Sequence, residues 1–327
     1  MSKQKIIVSG MRPSGRLHLG NYIGALQNWI RLQQEYRCYY FIADWHALTT
    51  GYEESAEIRE NSREMLVDWL SAGLDPETSV IFRQSDILEH AELFLLLGMI
   101  TPISWLERCP TFKEQLRELE GKNINTYGFL GYPALQAADI LAYRADAVPV
   151  GEDQAPHLEF TREVARRFNY LYGKVFPEPE TLLSKFTLVP GIDSRKMSKS
   201  YGNYIAMSAT PEEVREKVHL MVTDPQRVRR HDPGRPEVCT VYRFHEIFNQ
   251  PGAAGVGEEC RSAGIGCVQC KGLLAEKLAA YLQPVFEKRR ELEQKPEYLD
   301  EILHEGGKRA REAAQATLAA VREAMGL

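Results

Sequence analysis

Short apolar runs alternate with segments of helical periodicity along the first half of the chain. The runs that we interpret as strands are KIIVSG, CYYFIADWHAL and SVIFRQS, with AVPVGEDQ further along. Between the first two, NYIGALQNWIRLQQ places Ile23, Leu26 and Ile30 on one helical face. Because near-continuous apolar strands separated by helices are typical of a parallel sheet covered on both faces, the pattern predicts an α/β fold.

The strand pattern fades from about Pro211 onward, and amphipathic segments take its place. These segments are EEVREKVHLMV, KGLLAEKLAAYLQPVFEKRRELEQ and GGKRAREAAQATLAAVREAMGL. Their periodicity is that of helices with one apolar face. We therefore predict a Rossmann-like, doubly wound parallel sheet over residues 1–205, followed by an all-helical domain over residues 206–327.

Composition narrows the class of protein. The 327 residues carry a net charge of −5, which argues against a general nucleic-acid coat but permits a local basic face. The most apolar stretch, residues 91–106, is shorter than the roughly 20 residues that a membrane span needs. The start, MSKQKIIVSG, lacks the apolar region of a signal peptide. We expect a cytoplasmic protein without membrane contacts, whose six cysteines are reduced or bind metal.

A glycine-rich segment, SGMRPSGRLHLGNYIGAL, follows the first predicted strand. Doubly wound sheets bind ligands beyond the carboxyl ends of their strands. A helix that begins near His18 would point free N–H groups at such a ligand, and His18 and Asn21 could donate to phosphate oxygens. The alternative is a glycine-rich turn with a surface histidine.

Two further polar patterns accompany later elements. YPALQAADILAY, on a helix with Pro133 at its first position, gathers four polar side chains on one stripe: Tyr132, Gln136, Asp139 and Tyr143. Such a stripe meets either water or a ligand. Residues 151–154 place acid and amide groups directly after the apolar AVPV, where they suit ribose hydroxyls or an α-ammonium group, or form an ordinary polar turn.

The segment DSRKMSKSYGN sets Lys196 and Lys199 three residues apart among small hydroxyl side chains. It is too polar for a core. It is either a solvated surface loop or a mobile clamp for a highly charged anion such as a triphosphate.

Four motifs occur in order along the chain: HLGN, YPALQAADILAY, VPVGEDQ and RKMSKS. This combination resembles the class I aminoacyl-tRNA synthetases, and within that family the bacterial tryptophanyl branch, over nearly the whole chain. The resemblance implies that the carboxylate of L-tryptophan attacks the α-phosphate of ATP, that pyrophosphate leaves, and that the acyl group passes to tRNA(Trp). It also implies ATP with Mg²⁺ and a homodimer.

The resemblance assigns roles to individual residues. Those implied at the ATP site are Arg12, Pro13, Ser14, Gly20, Asn21, Gly151, Glu152, Asp153, Lys196, Met197, Ser198, Lys199 and Ser200. Those implied at the tryptophan site are His46, Tyr132, Gln136, Asp139 and Gln154. His18, Lys196 and Lys199 would act on the phosphates as catalytic groups. Asp139 would accept the indole N–H, while Gln154 and Tyr132 would hold the ammonium group.

Three positions depart from the family's common residues. Asn21 stands where the signature usually has a second histidine, Arg12 where glutamine is common, and Gln136 where methionine is common. These departures leave the implied reaction intact but alter details of the pocket.

Four cysteines lie in the predicted helical domain: Cys239, Cys260, Cys267 and Cys270. In a reduced compartment such a cluster indicates metal ligands, and the spacing alone suits either Zn²⁺ or an iron–sulfur cluster. A subset of the tryptophanyl branch carries a [4Fe–4S] cluster on a similar pattern, which favours iron–sulfur in a structural or tRNA-contacting role. The nearby basic stretch 227–235 is either a solvated face or a contact for tRNA phosphates. Cys38 and Cys109 are expected to be ordinary thiols.

Two other functions fit part of the pattern. A small nucleotidyltransferase would share the glycine-rich loop but not the lysine loop or the long helical part. A non-catalytic relative that binds RNA or senses iron would need neither the lysines nor Asp139. Tryptophan-dependent exchange between ATP and pyrophosphate separates these hypotheses.

Overall fold

The computed structural model describes residues 4–109, 125–151, 155–183 and 188–327. Five parallel strands form one sheet in the order β3-β2-β1-β4-β5. The strands are β1 (Ile6–Met11), β2 (Arg37–Ile42), β3 (Ser79–Arg83), β4 (Ala147–Val150) and β5 (Glu180–Leu183). Because the chain builds outward from β1 to β3 and then returns to the other side of β1, the sheet is doubly wound, as predicted.

Helices connect the strands and cover the sheet. In the strand-containing part they are α1 (Leu19–Asn21), α2 (Gln27–Leu32), α3 (Asp44–Gly51), α4 (Ile58–Ala72), α5 (Glu89–Ile100), α6 (Ile103–Glu107), α7 (Tyr127–Leu141) and α8 (Ala155–Tyr172). Further along they are α9 (Pro211–His219), α10 (Thr240–Phe248), α11 (Gln250–Arg261), α12 (Cys267–Glu293) and α13 (Pro296–Met325). A π-helical turn joins α1 to α2, so that one helical segment runs from Leu19 to Leu32.

The strands are buried on both faces, which explains their continuous apolar sequences. Ile7 and Tyr40 belong to one core cluster, whereas their neighbours Val8 and Tyr39 belong to the cluster on the opposite face. Successive side chains of a strand point to opposite faces, so both faces must be apolar when both are covered.

The helices after residue 206 are not isolated from the sheet. α12 packs against α4 and α9, and one core cluster includes both Ile7 of β1 and Leu278 of α12. α13 returns to lie on β3, and a Cβ on Gly306 would come within 1.8 Å of the Ile81 carbonyl oxygen. Only glycine permits that approach. The division near residue 205 stays a prediction, but the last helix helps to cover the parallel sheet.

One helix begins earlier than its sequence suggests. We predicted Pro133 at the first position, but α7 begins at Tyr127 and contains Pro133 in its interior. Thr126 provides the reason, because its hydroxyl accepts a hydrogen bond from the backbone N–H of Phe129 at 3.2 Å and caps the helix. Among the helices that the structure describes, none combines the length and apolar character that crossing a membrane requires.

Candidate active site

A cavity of about 340 Å³ opens at the carboxyl ends of β1 and β4, where the strand order reverses. This is the place where doubly wound sheets bind ligands. Its walls include Gly10 and Arg12 from the end of β1 and Gly151 after β4. Four residues that the sequence placed at the tryptophan site also line it: His46, Tyr132, Gln136 and Asp139.

Asp139 is fully buried on the wall of this cavity. Its Oδ1 accepts hydrogen bonds from Gln84 Nε2 at 2.8 Å and from His90 Nδ1 at 2.7 Å. Its Oδ2 accepts one from His46 Nε2 at 2.7 Å. Burial alone would raise the pKa of Asp139, but the hydrogen bonds from the two histidines outweigh it and hold that pKa below its ordinary value. The cavity therefore presents a buried carboxylate that keeps its negative charge.

Aromatic rings flank this carboxylate. The Tyr132 ring lies 6.5 Å from the ring of His46 at an interplanar angle of 80°, and it stacks on Phe129 at 5.8 Å. The Tyr132 hydroxyl lies 3.1 Å from His157 Nε2. A flat ring with one N–H donor suits this combination of aromatic walls and a buried acceptor. The predicted site residues Glu152, Asp153 and Gln154 lie outside the described residues.

The HLGN segment begins its helix with a reciprocal cap. The His18 Nδ1 accepts from the Asn21 backbone N–H at 3.2 Å, and the Asn21 Oδ1 accepts from the His18 backbone N–H at 3.2 Å. Burial, and secondarily the charge of Lys199, lowers the pKa of His18 to about 4. His18 is therefore neutral near pH 7, with its proton on Nε2 because Nδ1 is an acceptor. The cap uses the Asn21 Oδ1 and backbone N–H but not its Nδ2 group, so the expected role of Asn21 as a phosphate donor stays a prediction.

Two cations meet at the loop that follows β1: Arg12 belongs to it, and Lys199 reaches it from the lysine segment. Lys199 Nζ donates to the backbone carbonyl of Ser14 at 2.6 Å, so the lysine segment touches the glycine-rich segment. Burial lowers the pKa of Lys199, against an opposing effect of Asp68. Solvent reaches Arg12 through the open cavity, yet the protein around its guanidinium still lowers its pKa. We call Arg12, His18 and Lys199 the loop end of the site, and Asp139 with its partners the Asp139 end.

The lysine segment is organised by an asparagine that the sequence analysis did not single out. Asn203 is buried; its Oδ1 accepts from the Ser198 backbone N–H at 2.8 Å, and its Nδ2 donates to Asp193 and to the Lys196 carbonyl. Met197 is buried, whereas the side chains of Lys196 and Ser200 are exposed. The structure thus brings Lys199 to the loop end and leaves Lys196 in solvent.

The remaining loop residues implied at the ATP site lie nearby. Pro13 is buried in front of Ser14, and Gly20 lies against the His18 ring, where an added Cβ would come within 3.0 Å. The loop end and the cavity therefore adjoin through Arg12, which belongs to both.

The chain matches a known family over most of its length. The family of tRNA synthetases class I (W and Y) matches residues 2–283. The chain belongs to this family. A tryptophan–tRNA ligase of Thermotoga maritima is 52% identical over 324 positions, which cover 98% of this chain and 99% of that protein. A tryptophan–tRNA ligase of Aquifex aeolicus is 47% identical over 392 positions, with 98% and 99% covered.

Solved structures of class I synthetases share the fold. The tryptophanyl-tRNA synthetase of Campylobacter jejuni, crystallised with ADP and tryptophan, has a TM-score of 0.90 at 34% identity and covers 98% of this chain and 100% of that chain. The enzyme of Mycoplasma pneumoniae has a TM-score of 0.80 at 28% identity, with 99% and 98% covered. The predicted Rossmann-like fold of this synthetase is confirmed.

The cysteines of this synthetase share one neighbourhood. Cys239 precedes α10, and Cys260 lies in the last turn of α11. Cys267 and Cys270 lie in the first turn of α12. Burial, and secondarily the charges of the other three cysteines, raises the pKa of Cys270 to about 12. Within the described part of the chain, however, no group of three or more His, Cys, Asp or Glu side chains is placed to hold a metal ion.

Two donors face the thiols. Arg227 Nη1 lies 3.6 Å from Cys260 Sγ, and His245 Nε2 lies 3.5 Å from Cys270 Sγ. The Nε of Arg227 is buried without a hydrogen-bond partner among the described atoms. In the same basic stretch, Arg235 pairs with Asp224 at 2.7 Å, while Arg229 and Arg230 are exposed.

Proposed function

We propose that this chain activates L-tryptophan with ATP and transfers it to the 3′ end of tRNA(Trp). The observation that carries the proposal is the buried, charged carboxylate of Asp139 on the wall of an aromatic cavity. Its relatives at 52% and 47% identity are tryptophan–tRNA ligases, and the Campylobacter jejuni enzyme was crystallised with ADP and tryptophan.

At the Asp139 end, the carboxylate accepts the indole N–H while Tyr132 and His46 flank the ring. A pocket with a buried acceptor rejects an amino acid without the matching donor, because the acceptor is then left unpaired, an effect of about 10⁴-fold or more. Phenylalanine is excluded in this way. Tyrosine can donate to the same carboxylate, so the shape of the cavity must exclude it.

At the loop end, the side chains hold the polyphosphate of ATP, with Mg²⁺ arriving as part of the MgATP substrate. The tryptophan carboxylate attacks the α-phosphorus, a new O–P bond forms, and the bond to the bridging oxygen breaks to release pyrophosphate. No protein nucleophile is required, since phosphoryl transfer depends on positioning and positive charge. Lys199 and Arg12 supply charge, and His18 donates a hydrogen bond from Nε2. Lys196 joins them if the lysine segment closes over the phosphates, a gating step.

Asp139→Asn tests this proposal. The variant replaces an anionic acceptor by a neutral amide, so kcat/KM for tryptophan in ATP–pyrophosphate exchange should fall about 10- to 100-fold while the KM for ATP changes little. Asp300→Asn, at an exposed position of α13, is the matched control. Equal losses for tryptophan and ATP would contradict the role of Asp139. Exchange with tyrosine but not with tryptophan would show that the protein activates tyrosine instead.

The homodimer is part of the same proposal. Three exposed side chains on and before α5, Leu88, Leu95 and Met99, recur at helical intervals and are 66%, 55% and 70% exposed. Ile103 of α6 and Tyr127 at the start of α7 are exposed as well. Such an apolar surface is unfavourable in water, and a second copy would bury it. Light scattering should give a dimer mass, and Met99→Glu should shift it toward the monomer; a monomeric parent protein would contradict the proposal.

The four cysteines support a second candidate, a [4Fe–4S] cluster, with Zn²⁺ as the alternative. Arg227, whose Nη1 lies 3.6 Å from Cys260 Sγ, also has a buried Nε without a partner among the described atoms, and that N–H could donate a hydrogen bond to a cluster sulfide. One zinc ion needs four sulfurs at about 2.3 Å from a single point, whereas a four-iron cluster separates its thiolates further. When bound, the cluster would cross-link α10, α11 and α12 beside the exposed Arg229 and Arg230, which we propose contact tRNA in the cytoplasm.

Metal analysis of anaerobically purified protein decides between these groups. Iron and sulfide near four each per chain, with a brown colour, would support the cluster. One zinc per chain would select the alternative. A metal-free protein with unchanged stability and full aminoacylation would contradict both.

A further inference from the structure

Behind Asp139, and away from the cavity lining, lies a second layer of polar side chains. His90 is fully buried, and its Nδ1 contacts Asp139 Oδ1. Its Nε2 lies 2.6 Å from the hydroxyl of Tyr143, which is 3% exposed. We had predicted Tyr143 on the same ligand-facing stripe as Asp139, but the structure turns it to the opposite side of the carboxylate. His90 and Tyr143 thus form a buried pair whose hydrogen bonds reach the site through Asp139.

The hydrogen bonds around Asp139 leave one acceptor position open. Among the residues that the structure describes, Oδ1 accepts two hydrogen bonds, from Gln84 and His90, and Oδ2 accepts one, from His46. A carboxylate oxygen has two lone pairs. His46, the partner of Oδ2, lines the cavity, whereas Gln84 and His90, the partners of Oδ1, are not among the described residues that line it, so we place Oδ2 on the cavity side. The open position on Oδ2 is therefore where a ligand donor can bind.

The chemistry of the pair fixes the direction of its hydrogen bonds. Burial, and secondarily the charge of Asp139, raises the pKa of Tyr143 well above its ordinary value, so the phenol keeps its proton. Its O–H can donate to His90 Nε2, which leaves the imidazole proton on Nδ1. That proton points at Asp139 Oδ1. In the other tautomer, an unprotonated Nδ1 would face Oδ1 and repel the carboxylate.

We propose that His90 and Tyr143 are positioning residues for tryptophan selection. Tyr143 fixes the proton of His90 on Nδ1, and His90, together with Gln84, occupies Oδ1 and orients the carboxylate so that Oδ2 alone faces the indole N–H. This inference rests on the proposed function, because it assigns the open position to tryptophan. Neither residue touches the substrate, and both act through Asp139. The pair makes the acceptor single and directional, which a free carboxylate with two accessible oxygens would not be.

A purely structural role is the competing explanation. Tyr143 stacks on Tyr39 at 4.5 Å, and His90 packs edge-on against Phe41 and Phe82. Any substitution could therefore loosen the core and reduce activity in a general way. The test must distinguish loss of the indole N–H contact from loss of packing.

A tryptophan analogue in which sulfur replaces the ring N–H, 3-(1-benzothiophen-3-yl)-L-alanine, makes this distinction. The parent enzyme and each variant are assayed by ATP–pyrophosphate exchange with both amino acids. His90→Leu removes the donor and should lower kcat/KM for tryptophan about 10- to 100-fold, the range for a lost hydrogen bond to a charged group. The value for the benzothiophene analogue should stay within about twofold. The preference for tryptophan over the analogue would thus shrink.

His90→Asn is the conservative partner, because the amide nitrogen of asparagine can take the place of ring Nδ1. It should restore most of the preference for tryptophan that His90→Leu loses. Tyr143→Phe keeps the ring stack and removes only the hydroxyl, and it should reduce the preference by a smaller factor, about threefold. Circular dichroism and thermal unfolding of each variant report folding separately from this ratio.

The outcomes separate the inference from the proposed function. If His90→Leu lowers both amino acids equally, or if His90→Asn is no better than His90→Leu, the pair is structural and the inference is overturned. If Asp139→Asn also leaves the preference unchanged, the assignment of Asp139 itself fails. A parent enzyme without tryptophan-dependent exchange would overturn the proposed function before the ratio is measured.

Discussion

The two ends of the site treat charge in opposite ways. At the Asp139 end, three donors surround a buried carboxylate and its pKa is lowered, so its charged form is stabilised by the protein. At the loop end, burial lowers the pKa of Lys199 and His18, and the protein around the solvent-accessible guanidinium lowers that of Arg12, so their charged forms are disfavoured. The charge of the Asp139 carboxylate is thus already stabilised before substrate binds. The positive charges of the loop end are not.

This difference matches the ligand that we propose for each end. Tryptophan would bring a neutral N–H. A buried acceptor that its hydrogen bonds hold in place recognises such a group by direction rather than by charge. A polyphosphate brings several negative charges, and cations that have no carboxylate partner among the described residues gain most when it binds. Bound ATP would therefore lower the electrostatic free energy of the loop end, whereas the Asp139 end would contribute a fixed hydrogen-bond direction.

A buried ion pair supports the loop end from below. The Asp68 carboxylate accepts from the Leu17 backbone N–H at 2.7 Å, directly before His18, and it also contacts Arg289 of α12. Arg289 is 3% exposed, and its Nη2 also contacts Glu64 at 2.5 Å. The glycine-rich loop is thus held by a carboxylate whose counter-ion comes from the C-terminal helices.

The largest expected effect is the loss of this pair. Arg289→Met leaves Asp68 buried without its cation, and burial already raises the pKa of Asp68 to about 6 despite Arg289. Breaking a buried pair from one side costs about 3–5 kcal/mol. Urea unfolding should show that loss in the free energy of unfolding. Arg290→Met, exposed on the same helix, should change it little, and adding Asp68→Asn should recover part of the loss. If Arg289→Met lowers the free energy of unfolding no more than Arg290→Met does, the ion pair does not hold the loop.

Lys199→Ala removes a cation from the loop end and should have the next largest effect. Removing one group that stabilises charge in a transition state costs about 10²- to 10³-fold in kcat. ATP–pyrophosphate exchange should fall by that factor while tryptophan binding, measured without ATP, stays unchanged. Lys277→Ala, exposed on α12, is the control. If tryptophan binding falls as much as exchange does, the two ends are not independent and the comparison above is wrong.

The sequence predicted the strands and helices better than the tertiary contacts between distant elements. Apolar runs predict strands because both faces of this sheet are covered, and Gly73 ends α4 with a φ of 110° as its type suggests. Local pattern cannot show that Gly306 meets Ile81, since the two residues are 225 positions apart and nothing in a helical period records a distant strand. The role of that glycine follows only from tertiary packing.

The same limit applies within the site. The polar stripe indicated that Asp139 and Tyr132 share one side of α7, and the structure places both on the cavity wall. The stripe was wrong for Tyr143, because a histidine from α5 satisfies its hydroxyl inside the core. Gln84 and His90 carried no distinctive motif; their function depends on where β3 and α5 bring them. A polar residue at a strand end, as Gln84 is, was the available signal.

The smallest expected effect concerns His18 and pH. Its pKa is near 6.5 in the unfolded chain and about 4 in the folded protein, so between these values the unfolded state binds a proton that the native state does not. Stability should therefore fall as pH drops from 6.5 to 4. His18→Asn keeps the helix cap through its side-chain oxygen but cannot titrate, so its stability should depend less on pH in this range. His304→Gln, at a side chain 79% exposed, should leave the dependence unchanged.

Pyrophosphate sharpens this last measurement. An anion beside His18 favours the imidazolium, so bound pyrophosphate should raise the pKa of His18 and flatten the pH dependence of the parent protein toward that of His18→Asn. Urea midpoints measured between pH 6.5 and 4, with and without pyrophosphate, give both effects. A parent slope that pyrophosphate leaves unaltered would place the phosphate away from His18. The unfavourable positive charge at the loop end would then have to be relieved by Arg12 and Lys199 alone.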